Sequence, residues 1–291
     1  MRQRDPAAWK ADLLQLKHNV TSTNPELPIG IFDSGVGGLT VVAQVHRVLP
    51  HEDIVYLGDT ARVPYGTKSP STVVRFACED TQFLLQQNVK AVVVACNTVS
   101  AWALPILESK FPVPVFGVII PGVQAALRQT RSHRIGVVGT SATIRSQSYN
   151  RAILARDNLA KVFVQACPLL VPLVEEGMIR HSVTTTVLEE YLAPLLKRQI
   201  DTLVLGCTHY PLLKRTIREV VGKKISLVDS AESCADYVQA RLGELRLLNK
   251  RKRVGRIQPY VTDETDRFAE LAKRFLSAPL EPACKVDLPV L

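Results

Sequence analysis

The sequence lacks several patterns that would assign it to a class at once. Its six cysteines include no C-x-x-C pair, which argues against a zinc site and a disulfide framework and favours free thiols in a reducing compartment. No apolar run approaches the roughly 18 residues that a membrane-spanning helix needs. The N-terminus also lacks an apolar core followed by a cleavage site. We therefore expect a cytoplasmic protein that does not associate with a membrane.

Signals for nucleotide and nucleic-acid binding are weak. The stretch FDSGVGG, residues 32–38, lacks the full spacing of a Walker or dinucleotide-binding motif. Six of the cations behind the net charge of +9 lie in residues 246–256, where no aromatic residue is present to stack on a base. We interpret this basic stretch as a solvated surface loop rather than a phosphate-binding patch, and we do not expect a nucleic-acid partner.

From Ile29 onward, short apolar runs alternate with longer amphipathic segments. The runs are rich in Val and Ile, whereas segments such as residues 71–88 and 183–199 have helical periodicity. Strands of this kind, separated by helices, are typical of parallel sheets covered on both faces, so we predict an α/β protein with mainly parallel sheets. The predicted strands are residues 29–33, 53–57, 91–95, 114–118, 135–139, 161–166, 202–206 and 225–229.

The chain also contains an internal duplication. VVACNTVS, which contains Cys96, and VLGCTHYP, which contains Cys207, both place a cysteine and polar residues after an apolar run. IGIFDSGVGG, which begins at Ile29, is similar to IGVVGTSATI, which begins at Ile135. The separation of these two stretches is nearly the same as that of the two cysteines. We therefore predict two similar α/β domains, related by a pseudo-twofold axis, whose strand ends face a shared cleft.

The two matched cysteines are candidates for catalysis. Each follows a predicted strand and precedes a predicted helix or turn, where the helix dipole lowers a thiol pKa below about 8.5. A free cysteine is often only a small buried hydrophobe, but a matched pair followed by hydrogen-bonding residues favours chemistry. If Cys96 and Cys207 face each other, one can remove a proton from a substrate carbon while the other protonates its opposite face. We interpret the remaining four cysteines as packing residues.

Two further motifs are compatible with a small anionic substrate. Asp33 and Ser34 end a predicted strand and precede glycines that let backbone N–H groups approach a ligand. Asp33 can accept from a substrate ammonium group or orient a thiol, or it can simply cap the next helix. The turn VPYG presents Tyr65 and Gly66 to a ligand, or it is only a structural turn.

Near the second cysteine, His209 can tune the thiol or protonate a developing enolate. Glu175, in VPLVEEG, can assist His209 electrostatically. The alternatives are a structural histidine and a carboxylate on the surface of a helix.

Taken together, these motifs resemble the glutamate racemase family. The matching blocks occur in the expected order from about residue 28 to residue 230. The resemblance implies a cofactor-independent interconversion of L- and D-glutamate that supplies D-glutamate for bacterial peptidoglycan, without pyridoxal phosphate or a metal. The blocks are FDSGVGGLTV, GDTARVPYG, ACNTVS, GTSATIRSQSY, CPLLVPLVE and LGCTHYPLL.

The resemblance also assigns roles to individual residues. It implies that Cys96 takes the proton from D-glutamate and Cys207 takes it from L-glutamate. It implies that Asp33, Glu175 and His209 assist the thiols. The implied substrate contacts are Asp33, Ser34, Tyr65, Gly66, Asn97, Thr98, Thr140, Thr143, Thr208 and His209.

The family fold further implies how the chain is divided. The first domain comprises residues 28–120 and about 231–275, and the second comprises residues 121–230. Residues 1–27 form an extension, with a helix predicted at 8–18, and residues 276–291 form a C-terminal tail. The extension resembles those of some Gram-negative members that respond to a peptidoglycan precursor, so such an activator is a candidate partner. The sequence leaves the oligomeric state open, with a homodimer as one alternative.

Three other functions compete with this hypothesis. A racemase of aspartate or hydantoin would keep two cysteines but usually alters the residues after the second one, so CTHYP favours glutamate. A binding protein would capture a dicarboxylate and leave its Cα hydrogen untouched in heavy water. A nucleic-acid-associated activity through residues 246–256 would weaken strongly with salt.

Overall fold

The computed structural model describes residues 24–289. The helix predicted at residues 8–18 lies outside the described residues, as does most of the predicted N-terminal extension. Within the described part, the strands form two sheets, and all the strand pairings found there are parallel. The prediction of an α/β protein with mainly parallel sheets is confirmed.

The first sheet has the strand order β10-β9-β2-β1-β3-β4, and the second has the order β6-β5-β7-β8. Residues of the central strands are buried throughout, as parallel sheets with two covered faces require. The strands are β1 (Ile29–Asp33), β2 (Ile54–Gly58), β3 (Ala91–Val94), β4 (Val115–Gly117), β5 (Arg134–Gly139), β6 (Lys161–Ala166), β7 (Thr202–Gly206), β8 (Ser226–Asp229), β9 (Ile257–Val261) and β10 (Cys284–Lys285).

Helices connect the strands and cover the sheets. The helices are α1 (Leu39–Val48), α2 (Pro70–Gln86), α3 (Asn97–Trp102), α4 (Leu104–Lys110), α5 (Ile119–Gln129), α6 (Ser141–Arg145), α7 (Ser148–Leu154), α8 (Leu170–Glu175), α9 (Ser182–Lys197), α10 (Lys214–Val221), α11 (Ser230–Glu244) and α12 (Thr265–Phe275). Short 3₁₀ helices cover Thr60–Arg62, Tyr65–Thr67 and Tyr210–Leu213. Helix α11 packs against α1 and α5, so it joins the two halves of the molecule.

The predicted duplication is visible in the strand order. Four neighbouring strands of the first sheet, β2-β1-β3-β4, follow the same connectivity as the whole second sheet, β6-β5-β7-β8. In each set the first strand in sequence lies inside the sheet, the second pairs with one side of it, and the third pairs with the other. The prediction of two similar α/β units is therefore confirmed.

Two strands were not predicted from the sequence. β9 contains Pro259, which cannot donate a ladder hydrogen bond and therefore disfavours a strand assignment. It pairs along its length with β2, whereas β10 covers only its last two residues, so β9 lies close to the edge of the sheet. β9 lies within the stretch assigned to the first domain and β10 within the predicted tail, but the domain boundaries themselves stay a prediction.

Among residues 24–289, no helix is both long enough and apolar enough to cross a membrane. Part of the basic stretch, residues 246–256, is paired with acidic groups. Arg251 lies 2.9 Å from Glu26 and 3.4 Å from Asp53, and Arg253 also pairs with Asp53. These ion pairs reduce the positive charge that the stretch offers to a phosphate backbone.

Candidate active site

The two matched cysteines occupy equivalent positions in the two sheets. Cys96 follows β3 and is the N-cap residue of α3, and Cys207 follows β7 just before the 3₁₀ helix Tyr210–Leu213. Both side chains are buried, and both line one cavity of about 350 Å³ at the carboxyl ends of the two sheets. The duplication thus brings one thiol from each half of the chain to a shared cavity.

Most of the predicted site residues line the same cavity. Asp33 and Thr143 instead lie behind its wall. The predicted residues on the wall are Ser34, Tyr65, Gly66, Cys96, Asn97, Thr98, Thr140, Glu175, Cys207, Thr208 and His209.

Sequence reasoning missed several other residues of the wall. Val63 and Pro64 belong to the VPYG turn, and Pro168, Val171 and Pro172 belong to CPLLVPLVE. These two motifs were therefore the sequence features from which the additional wall residues could have been predicted. Gly35, Thr67 and Ser141 complete the wall. Among the other cysteines, Cys78, Cys167 and Cys234 are buried, as packing residues should be, whereas Cys284 is exposed and was wrongly assigned to packing.

The pKa values of both thiols are higher than their positions in the sequence suggest. Burial, together with the carboxylate of Asp33, raises the pKa of Cys96 to about 12, although the backbone N–H of Val99 opposes this shift. Burial also raises the pKa of Cys207, against the lowering effect of the His209 backbone N–H. The expected lowering of the thiol pKa is therefore wrong, because desolvation outweighs the helix-terminal N–H groups. Each thiol needs a neighbouring group that can accept its proton.

Asp33 is suitably placed to influence Cys96. Its Oδ2 accepts the backbone N–H of Gly35 at 3.2 Å, while its Oδ1 is buried and has no hydrogen-bond partner among residues 24–289. Burial raises the pKa of Asp33, although His209 and nearby backbone N–H groups oppose this shift. Helix α1 begins after Gly38 without a side-chain cap, so Asp33 is not its N-cap residue. A carboxylate with a raised pKa and an unused oxygen is a competent proton acceptor.

Ser34 lies between this carboxylate and the cavity. The thiol of Cys96 donates a hydrogen bond to Ser34 Oγ at 3.7 Å. This contact orients the Cys96 side chain toward the carboxyl end of β1.

His209 and Glu175 form a pair beside Cys207. His209 is 6% exposed, and its Nε2–H donates to Glu175 Oε1 at 2.9 Å. This bond leaves Nδ1, which lies 3.5 Å from Thr208 Oγ1, as the acceptor of the neutral ring. The predicted assistance of Glu175 to His209 is thus geometrically available, and its catalytic consequence stays a prediction.

The same pair is braced by the last turn of α12, a contact that the sequence did not reveal. The ring of Phe275 lies edge-on to the His209 ring, with 5.3 Å between centroids. Arg274 donates a hydrogen bond to the backbone carbonyl of Glu175. Since α12 follows β9, a strand of the first sheet, the unit built on the first sheet helps to hold the imidazole of the unit built on the second.

Three threonines join the two halves at the cavity. Thr98 Oγ1 lies 2.8 Å from Thr140 Oγ1 and 3.3 Å from Thr143 Oγ1, and the latter two hydroxyls are 3.0 Å apart. The Thr140 hydroxyl also accepts the backbone N–H of Thr143 and so caps α6. Thr143 therefore acts behind the wall by fixing the orientation of the two hydroxyls that line the cavity.

Asn97 is held from two sides. The hydroxyl of Tyr149 donates to Asn97 Oδ1 at 2.7 Å, and Asn97 Nδ2 donates to Ser230 Oγ at 3.5 Å. Tyr149 and Ser230 were not predicted as parts of the site. Because both partners belong to other elements, the amide enters the cavity wall in a fixed orientation.

The hydroxyl of Tyr65 is bonded within the protein and is not offered to a ligand. The hydroxyl donates to Asp59 and, at 3.2 Å, to Asp80, and the side chain is 1% exposed. The phenol group is therefore committed to the protein interior. Tyr65 still lines the cavity, and Gly66 beside it packs directly against the side chain of Thr140.

Gly37 provides a test of how tightly His209 is positioned. A Cβ atom at Gly37 would fall 2.4 Å from Nδ1 of His209 and 2.5 Å from Thr208 Oγ1. We expect Gly37→Ala to displace the ring by about 1 Å and to lower kcat/KM by about a hundredfold. Gly243→Ala is the control, since its Cβ would meet nothing nearer than 3.6 Å. Steady-state kinetics with wild-type rates for Gly37→Ala would contradict this expectation.

Comparison with known proteins identifies the family. The family model described as Asp/Glu/Hydantoin racemase matches residues 39–238, well over half of the chain. The chain belongs to the Asp/Glu/hydantoin racemase family. A glutamate racemase from Syntrophus aciditrophicus is 50% identical over 270 residues, which cover 92% of this chain and 100% of that protein. The predicted resemblance is confirmed, and the protein is an isomerase of the racemase class.

Solved structures of racemases superpose on the same fold. A glutamate racemase isoform from Bacillus anthracis is 40% identical with a TM-score of 0.89, covering 92% of this chain and 100% of that one. Glutamate racemase from Francisella tularensis, solved with D-glutamate, is 38% identical with a TM-score of 0.84, covering 90% and 98%. The superposition covers both sheets, so the two-domain racemase fold extends over nearly all of the described chain.

A more distant racemase structure contains an activator. Glutamate racemase from Escherichia coli, solved with L-glutamate and the activator UDP-MurNAc-ala, is 27% identical with a TM-score of 0.75. The match covers 90% of this chain and 99% of that one.

Proposed function

We propose that the protein interconverts L- and D-glutamate without a cofactor, using Cys96 and Cys207 as the two acid–base groups. The observation that carries this proposal is the placement of the two buried thiols at equivalent strand ends of a duplicated fold, both on one cavity. A relative that is 50% identical over 92% of this chain bears the name glutamate racemase. Inversion at one carbon requires a base on one face and an acid on the other, and one thiol from each half meets that requirement.

The environments of the thiols indicate how each becomes a base. With D-glutamate bound, Cys96 passes its proton to Asp33 and takes the Cα proton, while Cys207 delivers its own proton to the opposite face. With L-glutamate bound, the imidazole of His209, held by Glu175, accepts the proton of Cys207, and Cys96 acts as the acid. In each direction, the proton removed from Cα is replaced by one from the other thiol. The proton accepted by Asp33 or His209 then leaves to solvent, and the remaining thiolate takes one up from solvent, which restores the starting protonation of the site.

The cavity wall supplies polar groups for the two carboxylates and the ammonium of glutamate. Hydroxyl and amide groups are the commonest polar groups on it, and Glu175 contributes a carboxylate. Hydroxyls and amides can donate hydrogen bonds to a carboxylate without placing a permanent positive charge beside the thiols. Such a charge would lower the pKa values of both thiols. The groups in question are Ser34, Asn97, Thr98, Thr140 and Thr208.

The raised thiol pKa values predict a specific pH dependence. Because burial raises the pKa of both Cys96 and Cys207, the thiolate fraction is small near neutral pH and grows as pH rises. We therefore expect kcat/KM to increase from about pH 6 to about pH 8, approaching tenfold per pH unit where thiolate formation limits the rate. Initial rates in constant-ionic-strength buffers test this expectation. A flat profile would mean that a thiolate is already present in the free protein.

We also propose the finer parts of the biological assignment. Residues 28–120 with about 231–275 form the first domain, which includes β9, and residues 121–230 form the second. The protein acts in the cytoplasm, and its D-glutamate enters peptidoglycan. UDP-MurNAc-ala, the activator of the Escherichia coli relative, is the candidate activator here, and a rate increase on its addition would support this assignment. The homodimer stays a prediction for light scattering to test.

Solvent deuterium exchange tests the reaction and the substrate together. The purified protein is incubated in deuterated buffer, without added cofactor, with L-glutamate and in parallel with L-aspartate. We expect optical rotation to decay for glutamate, with deuterium appearing at Cα by NMR. Exchange with aspartate alone would assign the other substrate of the family, and binding without exchange would indicate a capture protein rather than a racemase.

A further inference from the structure

One wall of the cavity is attached to a buried cluster of charged side chains. Residues 63–67, here called the wall turn, all line the cavity and follow directly on Arg62. The guanidinium of Arg62 contacts the carboxylates of Asp59, Glu79 and Asp80, the last at 3.0 Å. Glu79 and Asp80 belong to α2, so this contact joins the wall turn to that helix.

The cluster is shielded from solvent, which makes its geometry specific. The side chains of Asp59 and Asp80 are fully buried, that of Glu79 is 3% exposed, and that of Arg62 is 22% exposed. The Arg62 guanidinium also stacks on the Phe76 ring, 4.0 Å from its centroid. A planar guanidinium can bind several carboxylates at fixed angles, a geometry that a point charge does not reproduce.

The wall turn shares two of these carboxylates with Arg62. The Tyr65 hydroxyl donates to Asp59 and Asp80, and the Tyr65 ring packs against Phe76 with 5.4 Å between centroids. The other oxygen of Asp59 accepts a hydrogen bond from Thr262 at 2.9 Å. The groups that hold Arg62 therefore also hold the tyrosine of the wall turn.

Several carboxylates crowd around Arg62 in this cluster. Burial and the neighbouring Asp59 raise the pKa of Asp80, whereas Arg62 lowers it. Arg75, which is half-exposed, approaches Glu79 at 4.0 Å. Burial raises the pKa of Cys78 on the same helix, Lys110 of α4 lowers it, and the charges of Glu79 and Asp80 raise it. Removal of the Arg62 guanidinium would leave carboxylates buried without their closest cation.

We propose that Arg62 is a positioning residue that fixes the wall turn to α2 and thereby sets the affinity of the cavity for its substrate. This inference rests on the proposed function, because it concerns the substrate of that reaction. The wall turn reaches the second half of the chain through Gly66, whose Cβ position lies 3.0 Å from Thr140. A displaced turn would therefore disturb both the wall and its contact with the threonine hydroxyls.

Kinetics of three variants test this role. We expect Arg62→Ala to raise KM by about tenfold while kcat changes by less than about threefold, because the residue acts on binding and touches no reacting atom. Arg62→Lys keeps the charge but loses the planar fork, so KM should rise by about threefold. Arg75→Ala, an arginine beside the same Phe76 and Glu79, should leave both constants unchanged. A wild-type KM in Arg62→Ala, or in Arg62→Lys should Arg62→Ala not fold, would overturn the proposal.

Thermal unfolding provides a readout that does not depend on activity. Burial and Asp59 raise the pKa of Asp80, and Arg62 opposes this shift, so loss of the guanidinium raises the pKa of Asp80 further above its value in the unfolded chain. The stability that Asp80 contributes is then present at low pH and is lost as pH rises. The deficit in unfolding temperature of Arg62→Ala relative to wild type should therefore be larger at about pH 8 than at about pH 5.5, whereas Arg62→Lys shows little pH dependence. A deficit that is the same at both pH values would indicate only lost packing and would overturn the proposed role of Arg62 in fixing the wall turn to α2. Absence of glutamate turnover by the wild type would refute the proposed function and leave this measurement valid.

Discussion

Replacement of either Cys96 or Cys207 by alanine is expected to lower kcat/KM for glutamate racemisation by at least about a thousandfold in both directions. Each variant retains only one of the two groups, so a proton can be removed from one face but none is delivered to the other. Because the equilibrium constant between enantiomers is unity, kcat/KM must fall equally for L- and D-glutamate. Chiral chromatography of timed reactions measures this loss.

A matched control separates loss of chemistry from loss of fold. Cys234 is also buried, but it lies in α11 away from the cavity wall, so Cys234→Ala removes a buried thiol without removing an acid–base group. We expect this variant to retain turnover and all three variants to unfold cooperatively. Near-normal turnover in Cys96→Ala or Cys207→Ala would exclude the two-thiol mechanism.

His209→Asn is expected to lower kcat for L-glutamate by about a thousandfold and kcat for D-glutamate by less. In our assignment the imidazole accepts the proton of Cys207, which acts as the base toward L-glutamate. Asparagine keeps a hydrogen-bonding group near Glu175 but cannot accept a proton. Since kcat/KM must stay equal in the two directions, the asymmetry in kcat must be matched by KM, and full saturation curves for both enantiomers are required.

His133→Asn is the corresponding control. His133 is half-exposed, pairs with Asp157 at 2.6 Å and lies away from the cavity wall. We expect its substitution to leave kcat unchanged for both enantiomers. If His209→Asn produced equal and mild losses in both directions, the histidine would hold the structure rather than transfer protons.

The fold was largely predictable because its signals are local. The eight predicted strands occur in the structure with bounds that differ by no more than one residue at either end, since each is a short apolar run flanked by amphipathic helices. β9 was missed because Pro259 and the preceding basic stretch contradict the usual strand pattern. A strand near the edge of a sheet tolerates such a proline. Whether a strand lies near an edge depends on the strand order of the whole sheet, which no local stretch of sequence reveals.

The positions of the site residues were predictable, but their environments were not. The repeat of strand, cysteine and polar residues placed Cys96 and Cys207 at equivalent strand ends. Their pKa values depend on how deeply the thiols are buried and, for Cys96, on Asp33, which is brought to it by the neighbouring strand. For this reason the expected lowering by helix termini was wrong in direction.

The orientation of the Tyr65 side chain was likewise not predictable from the sequence. The VPYG turn indicated that Tyr65 lies at the ligand, and it does line the cavity. The direction of its hydroxyl is decided by Asp59 and Asp80, which lie on two other segments and are themselves held by Arg62. No local pattern contains that information, because it arises only when β2 and α2 pack side by side.

The most direct measurement is a crystal structure of the protein with D-glutamate bound. We predict that the sulfur atoms of Cys96 and Cys207 lie within contact distance of the substrate Cα, one on each face of its tetrahedron. Sulfur atoms on the same face, or one of them beyond contact, would contradict inversion by paired thiols.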